Sequence, residues 1–71
     1  MSLESLQPGR EFTVRTLRSK DSPVVRKLRA MGLKEGLRSK LLLKNGRVYL
    51  IQLNNSRLII DEDTARLVEI D

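Results

Sequence analysis

Apolar and polar side chains alternate over several short stretches of this chain, and the alternation predicts more strands than helices. Glu11-Phe12-Thr13-Val14-Arg15-Thr16 places Phe12 and Val14 on one face and Thr13 and Arg15 on the other, the period-two signature of a half-buried strand. Leu17 breaks the alternation and is expected to end it. A second strand is predicted from Leu37 to Lys44, with Ser39, Leu41 and Leu43 on one face and Arg38, Lys40 and Lys44 on the other. A third runs from Arg47 to Leu53, and Asn45-Gly46 between them is a hairpin signal, because both residues tolerate positive φ. Asn54-Asn55-Ser56 forms a further turn into a fourth strand, Arg57 to Ile60. Leu67 to Ile70 makes the last.

The helical period appears once with conviction. Ser22-Pro23 is a helix start: the Ser hydroxyl accepts from a free first-turn N–H, and proline suits a position whose donor is unused. Val24, Leu28 and Met31 then fall at i, i+4 and i+7 as the apolar stripe, with Val25 beside it, and Gly32 stops the helix near Met31. Asp61-Glu62-Asp63-Thr64-Ala65 reads as one short turn of helix with carboxylates at its positive end. Leu3, Leu6 and Pro8-Gly9 form an apolar anchor closed by a turn. Five short strands with one helix between the first two predict a mostly β fold, a small closed or nearly closed barrel occupying residues 1–71 as a single domain.

Composition narrows the function. At 71 residues the core is thin, and neither Cys nor His is present to brace it or to supply a thiolate, imidazole or zinc site. No enzyme activity and no cofactor are therefore expected. Asp61, Glu62 and Asp63 are read as helix-end electrostatics and not as a cation site, since three consecutive carboxylates cannot all converge on one ion. No apolar run approaches the ~20 residues of a membrane span, and Met1-Ser2-Leu3-Glu4 lacks the basic and apolar start of a signal peptide, so a cytoplasmic location is expected.

Fourteen Lys and Arg stand against nine Asp and Glu, a net charge of +5. The excess is uneven: between Arg10 and Arg57 only Glu11, Asp21 and Glu35 oppose the cations, whereas acidic residues dominate the tail. Such a dipolar surface steers acidic partners. Arg26, Lys27 and Arg29 are candidate contacts on the helix, although a charged outer face is also the ordinary state of an amphipathic helix. Leu42, Val48 and Leu50 are the apolar candidates, either an exposed interaction patch or a patch covered by the helix.

Three segments together resemble the ferrous iron transport protein A (FeoA) family: Leu3-x-x-Leu6-x-Pro8-Gly9, then Arg26-Lys27-Leu28-x-x-Met31-Gly32-Leu33-x-x-Gly36, then Leu58-x-Ile60 followed by Ala65-x-x-Val68-x-Ile70. The resemblance implies an SH3-like barrel and a cytoplasmic accessory role in bacterial ferrous iron uptake, with the membrane GTPase-permease FeoB as partner. The chain itself is expected to be a monomer or weak homodimer. Three positions depart from the family: Ser39 where an aliphatic residue is usual, a short hairpin at Asn45-Gly46, and Asn55 in place of a turn glycine. The alternative is a basic small barrel that binds nucleic acid. With Phe12 and Tyr49 as the sole aromatics it lacks the stacking platforms of single-strand binders, so such binding is expected to be nonspecific and salt-dependent.

Overall fold

A computed structural model describes all residues from Met1 to Asp71. Strand β1 (Glu11–Leu17) leads through helix α1 (Pro23–Ala30) to β2 (Arg38–Asn45), β3 (Val48–Leu53) and β4 (Ser56–Asp61). A short helix α2 (Glu62–Ala65) then precedes β5 (Val68–Ile70). The strands form one antiparallel sheet in the order β4-β3-β2-β1-β5. It curls around a core of 17 buried residues that includes Phe12, Val14, Leu41, Tyr49, Ile51, Val68 and Ile70. β4 and β5 do not pair with each other, so the barrel stays open along the outer edge of β4.

Two β-bulges explain where simple alternation misplaces side chains. Pairing of β1 with β5 shifts register between Val14 and Thr16, which inserts Arg15 as an extra residue and brings Leu17 back to the core side. Leu17 is buried and extends the strand instead of ending it. Pairing of β2 with β3 shifts between Leu41 and Leu43. Leu41 faces Ile51 in the core, whereas Leu43, expected on the same face, emerges opposite Leu50 on the outside with 53% exposure.

The hairpins also sit one residue from their expected places. Asn45 is the last residue of β2, paired with Val48, and the loop is Gly46-Arg47. Only Gly46 has positive φ, 61°, the sign pattern of a type II′ turn instead of type I′. In the next hairpin Asn54, not Asn55, takes the left-handed conformation, with φ 46°.

Helix α1 begins as its sequence dictates. The Ser22 hydroxyl accepts from Val24 N at 3.2 Å, and Pro23 occupies the first turn. It ends in a Schellman motif: Leu33 N donates to the Leu28 carbonyl at 2.9 Å and Gly32 N to that of Arg29 at 3.0 Å, with Gly32 at φ 103°. This cap folds Leu33 back beside Leu28, and both are buried. The helix is turned relative to the expected stripe. Val25 and Leu28 enter the core, while Val24 and Met31 remain about half exposed, because Leu33 fills the space that a longer stripe would need.

Candidate protein interaction surface

The register of β2, β3 and β4 sets out three transverse rows on the outer face of the sheet. Lys40, Gln52 and Arg57 form the first; Leu43, Leu50 and Ile59 the second; Asn45, Val48 and Asp61 the third. Residues directly opposite in an antiparallel ladder point to the same face, so the second row is a continuous apolar stripe crossing three strands. Leu43 and Ile59 are 53% and 68% exposed, and Val48 beside them is 47% exposed. Six exposed large apolar residues occur in the chain, and these are three of them. Scattered singly they would mean nothing, but aligned across a sheet they form a contiguous exposed apolar patch, a candidate interaction surface.

The sequence-derived candidates distribute over this surface and the neighbouring helix. Of the two alternatives for Val48 and Leu50, the structure has both on the outer face and not beneath the helix, with Leu50 half-buried. Leu42 sits at the bulge, also half-buried. Leu43 and Ile59 are absent from the patch that the sequence suggests. Their signals are the apolar triplets Leu41-Leu42-Leu43 and Leu58-Ile59-Ile60: three successive apolar residues in a strand expose at least one of them, or force a bulge. Helix α1 does not cover the stripe; its buried side chains join the core on the inner side of the sheet.

On α1, Arg26 and Lys27 are exposed and in no ion pair, whereas Arg29 is engaged. Its guanidinium clasps Glu35 through two charge-assisted bonds of 2.7 and 2.6 Å. That contact holds the Glu35 carboxyl down to about 2. The unpaired basic residues of the helix face are thus Arg26 and Lys27, with Arg29 acting as a strut to the loop before β2. Lys27 lines an apolar groove of about 390 Å³ between α1 and β4, together with Val24, Met31, Leu58, Ile59 and Ile60. Ile59 joins the groove to the outer stripe. A second concavity, about 310 Å³, lies between Glu11, Arg38, Ser39, Lys40, Gln52 and Asn54 and has no apolar lining. An Arg38–Glu11 ion pair of 2.9 Å spans it.

The acidic segment is occupied internally. Asp61 caps α2 by accepting from Thr64 N at 2.8 Å, and hydrogen bonding by Thr64 holds its carboxyl below the usual range. Arg66 draws in Glu62 at 2.7 Å, Asp63 at 3.0 Å and Glu4 at 3.0 Å. Ser39, short of the family's aliphatic side chain, is half-buried and donates its hydroxyl to the Gln52 carbonyl. No helix is long and apolar enough to cross a membrane.

Comparison with known proteins adds three findings. The family model described as the FeoA domain matches residues 1–71. Among solved structures, the chain superposes with a TM-score of 0.89 and 22% identity on the FeoA protein of Stenotrophomonas maltophilia, covering 100% of this chain and 89% of that one. That protein was solved with zinc and is described as a prokaryotic SH3 domain protein and a candidate activating factor of bacterial ferrous iron transport. The iron(II) transport protein A of Clostridium thermocellum gives 0.90 at 22% identity, over 100% of this chain and 44% of that one. A manganese-dependent transcriptional repressor gives 0.85 at 14% identity, over 96% of this chain and 39% of that one. At these identities the superpositions show the SH3-like fold alone, and this chain spans less than half of the last two proteins. No curated protein matches the sequence.

Proposed function

From the premise that the chain belongs to the FeoA family, we propose that it is a non-catalytic, cytoplasmic accessory protein of ferrous iron uptake that binds the cytosolic portion of the GTPase-permease FeoB. The observation that carries this reading is the Leu43-Leu50-Ile59 stripe with Val48 at its side, flanked by the Lys40-Gln52-Arg57 row. An apolar centre with a polar margin, basic along the Lys40–Arg57 side, is the anatomy of a transient protein interface. Burial of the stripe supplies affinity, and the basic margin steers approach to an acidic counterpart.

The stripe favours a protein partner over nucleic acid. A phosphate backbone is neutralised by cations and gains nothing from contact with Leu43, Val48 or Ile59. Titration of the 71-residue chain into the transporter's purified cytosolic portion, in nucleotide-free, GDP and GTP-analogue states, tests the reading. Saturable binding in at least one state is expected. Its absence from all three overturns the proposal.

A further inference from the structure

Strand β4 ends the sheet, and its outer edge carries an unpaired set of backbone groups. Glu62 N donates to the Arg47 carbonyl at 2.8 Å, which fixes the phase of the β3–β4 ladder. Alternation along an antiparallel ladder then assigns Ile60, Leu58 and Ser56 to the bonds with β3 and turns the N–H and C=O groups of Arg57 and Ile59 and the N–H of Asp61 away from it, the Asp61 carbonyl serving α2 as its N-cap. Neither Arg57 nor Ile59 exchanges a backbone bond with a turn, loop or cap elsewhere in the chain. An exposed edge of this kind, with an apolar residue at its centre, is usually covered, charged or bent away. Here no strand pairs with it, α1 stands across a groove from it, and its charges are one of each sign, Arg57 and Asp61.

The side chains along that edge are complementary to themselves. Arg57 and Asp61 stand two residues on either side of Ile59. A second copy laid antiparallel, with Ile59 opposite its counterpart, places Arg57 of each copy across from Asp61 of the other. Ile59 then pairs with its counterpart and the N–H of Asp61 with the carbonyl of Arg57, for about four new backbone bonds, the Asp61 carbonyl being turned into α2 as its N-cap. Arg57 is exposed and makes no ion pair within its own chain, and the exposed Asp61 carboxylate, although it accepts from Thr64, is likewise in no ion pair. The two-fold axis of such a pairing runs perpendicular to the sheet, so both outer faces stay on one side and the apolar stripes join end to end. On the inner side the two grooves meet, bringing together the half-exposed Val24 and Met31 of each copy.

We propose that the β4 edge is a homodimer interface, in which two copies of this chain pair antiparallel about Ile59 to form a continuous ten-stranded sheet. An isologous contact of this type is the ordinary consequence of a self-complementary edge. Self-association at this edge is independent of any transporter contact, and its failure leaves the proposed partner untouched.

Sedimentation equilibrium of the full chain, from ~10 μM to ~1 mM as suits a small and weak interface, is the test. The wild type is expected to show a reversible monomer–dimer equilibrium. Arg57→Glu makes both ends of the pairing acidic, and Asp61→Lys makes both ends basic. Each variant alone should dimerise at least ~10-fold more weakly. An equimolar mixture of the two should recover dimer. In the mixed pair the introduced glutamate of one copy meets the introduced lysine of the other, while the unchanged Asp61 of the first meets the unchanged Arg57 of the second. Recovery also shows that both variants are folded. Ile59→Lys, at an exposed position outside the cap of α2, checks the same edge if Asp61→Lys alone proves unfolded, and it too should be monomeric. A wild type that stays monomeric to ~1 mM overturns the proposal. So does a dimer that survives Arg57→Glu or Ile59→Lys unchanged, or paired charge variants that fold but fail to recover it.

Discussion

Lys44 and Tyr49 face each other across β2 and β3, and both donate to one acceptor, the Glu4 carbonyl, at 2.7 and 3.1 Å. The ammonium also lies 5.1 Å from the centre of the Tyr49 ring. This three-way contact fastens the single turn Leu3–Ser5 onto the sheet, with Leu3 buried beneath it. It exists because the bulge between Leu41 and Leu43 returns Lys44 to the side on which Tyr49 is buried.

Removing the Tyr49 hydroxyl tests that contact. Tyr49→Phe keeps the ring, and the carbonyl keeps Lys44, so the loss should be about 0.5–1.5 kcal/mol, the ordinary net value of one hydrogen bond. Lys44→Met alone should cost a similar amount. The double variant should cost more than the two losses added, since the half-buried carbonyl then has no side-chain donor. Urea denaturation of the four proteins measures each term.

The Schellman cap of α1 gives a second expectation. Gly32 at φ 103° has open space around it, so Gly32→Ala is opposed by backbone conformation and not by a clash, at about 1–2 kcal/mol. Leu33→Ala removes a fully buried side chain and should cost about 2–5 kcal/mol. A domain of this size has only about 3–5 kcal/mol in hand, so the second variant should be largely unfolded at about 37 °C by circular dichroism.

Acid should act through Glu35. Its carboxyl is lowered from 4.5 to about 2 by the Arg29 guanidinium. A depressed folded-state value means that the contribution is complete above about pH 4.5 and is lost as the pH falls toward 2. Melting temperatures measured across that window should fall less steeply in Glu35→Gln than in the wild type. Above about pH 5 the variant should be uniformly less stable. Parallel curves through the window would show that the clasp contributes nothing.

The strand count, the helix and its start, and the family are legible in the sequence, because these rest on period, capping chemistry and spacing that survive any detail of pairing. What escapes a linear reading depends on pairing. Alternation assigns Leu43 to the core and ends β1 before Leu17, and in each case one bulged residue reverses the assignment. Sequence shows no cost for that reversal until the partner strand is placed. The same holds for the site: Val48 and Leu50 are readable from a strand apolar on both faces, but Leu43 and Ile59 join them only through cross-strand register. Arg29 looks like Arg26 and Lys27 in sequence, and only the return of the chain to Glu35 takes it out of the free basic face.

The outer stripe carries the account, and its test is a comparison of binding with stability held constant. Leu43→Lys and Val48→Lys change exposed positions, so the double variant should melt close to the wild type. Titrated calorimetrically into the cytosolic portion of FeoB, in whichever nucleotide state the wild type binds, it should bind at least ~10-fold more weakly. Wild-type binding that the double variant reproduces undiminished would contradict the claim that this surface is where the protein acts.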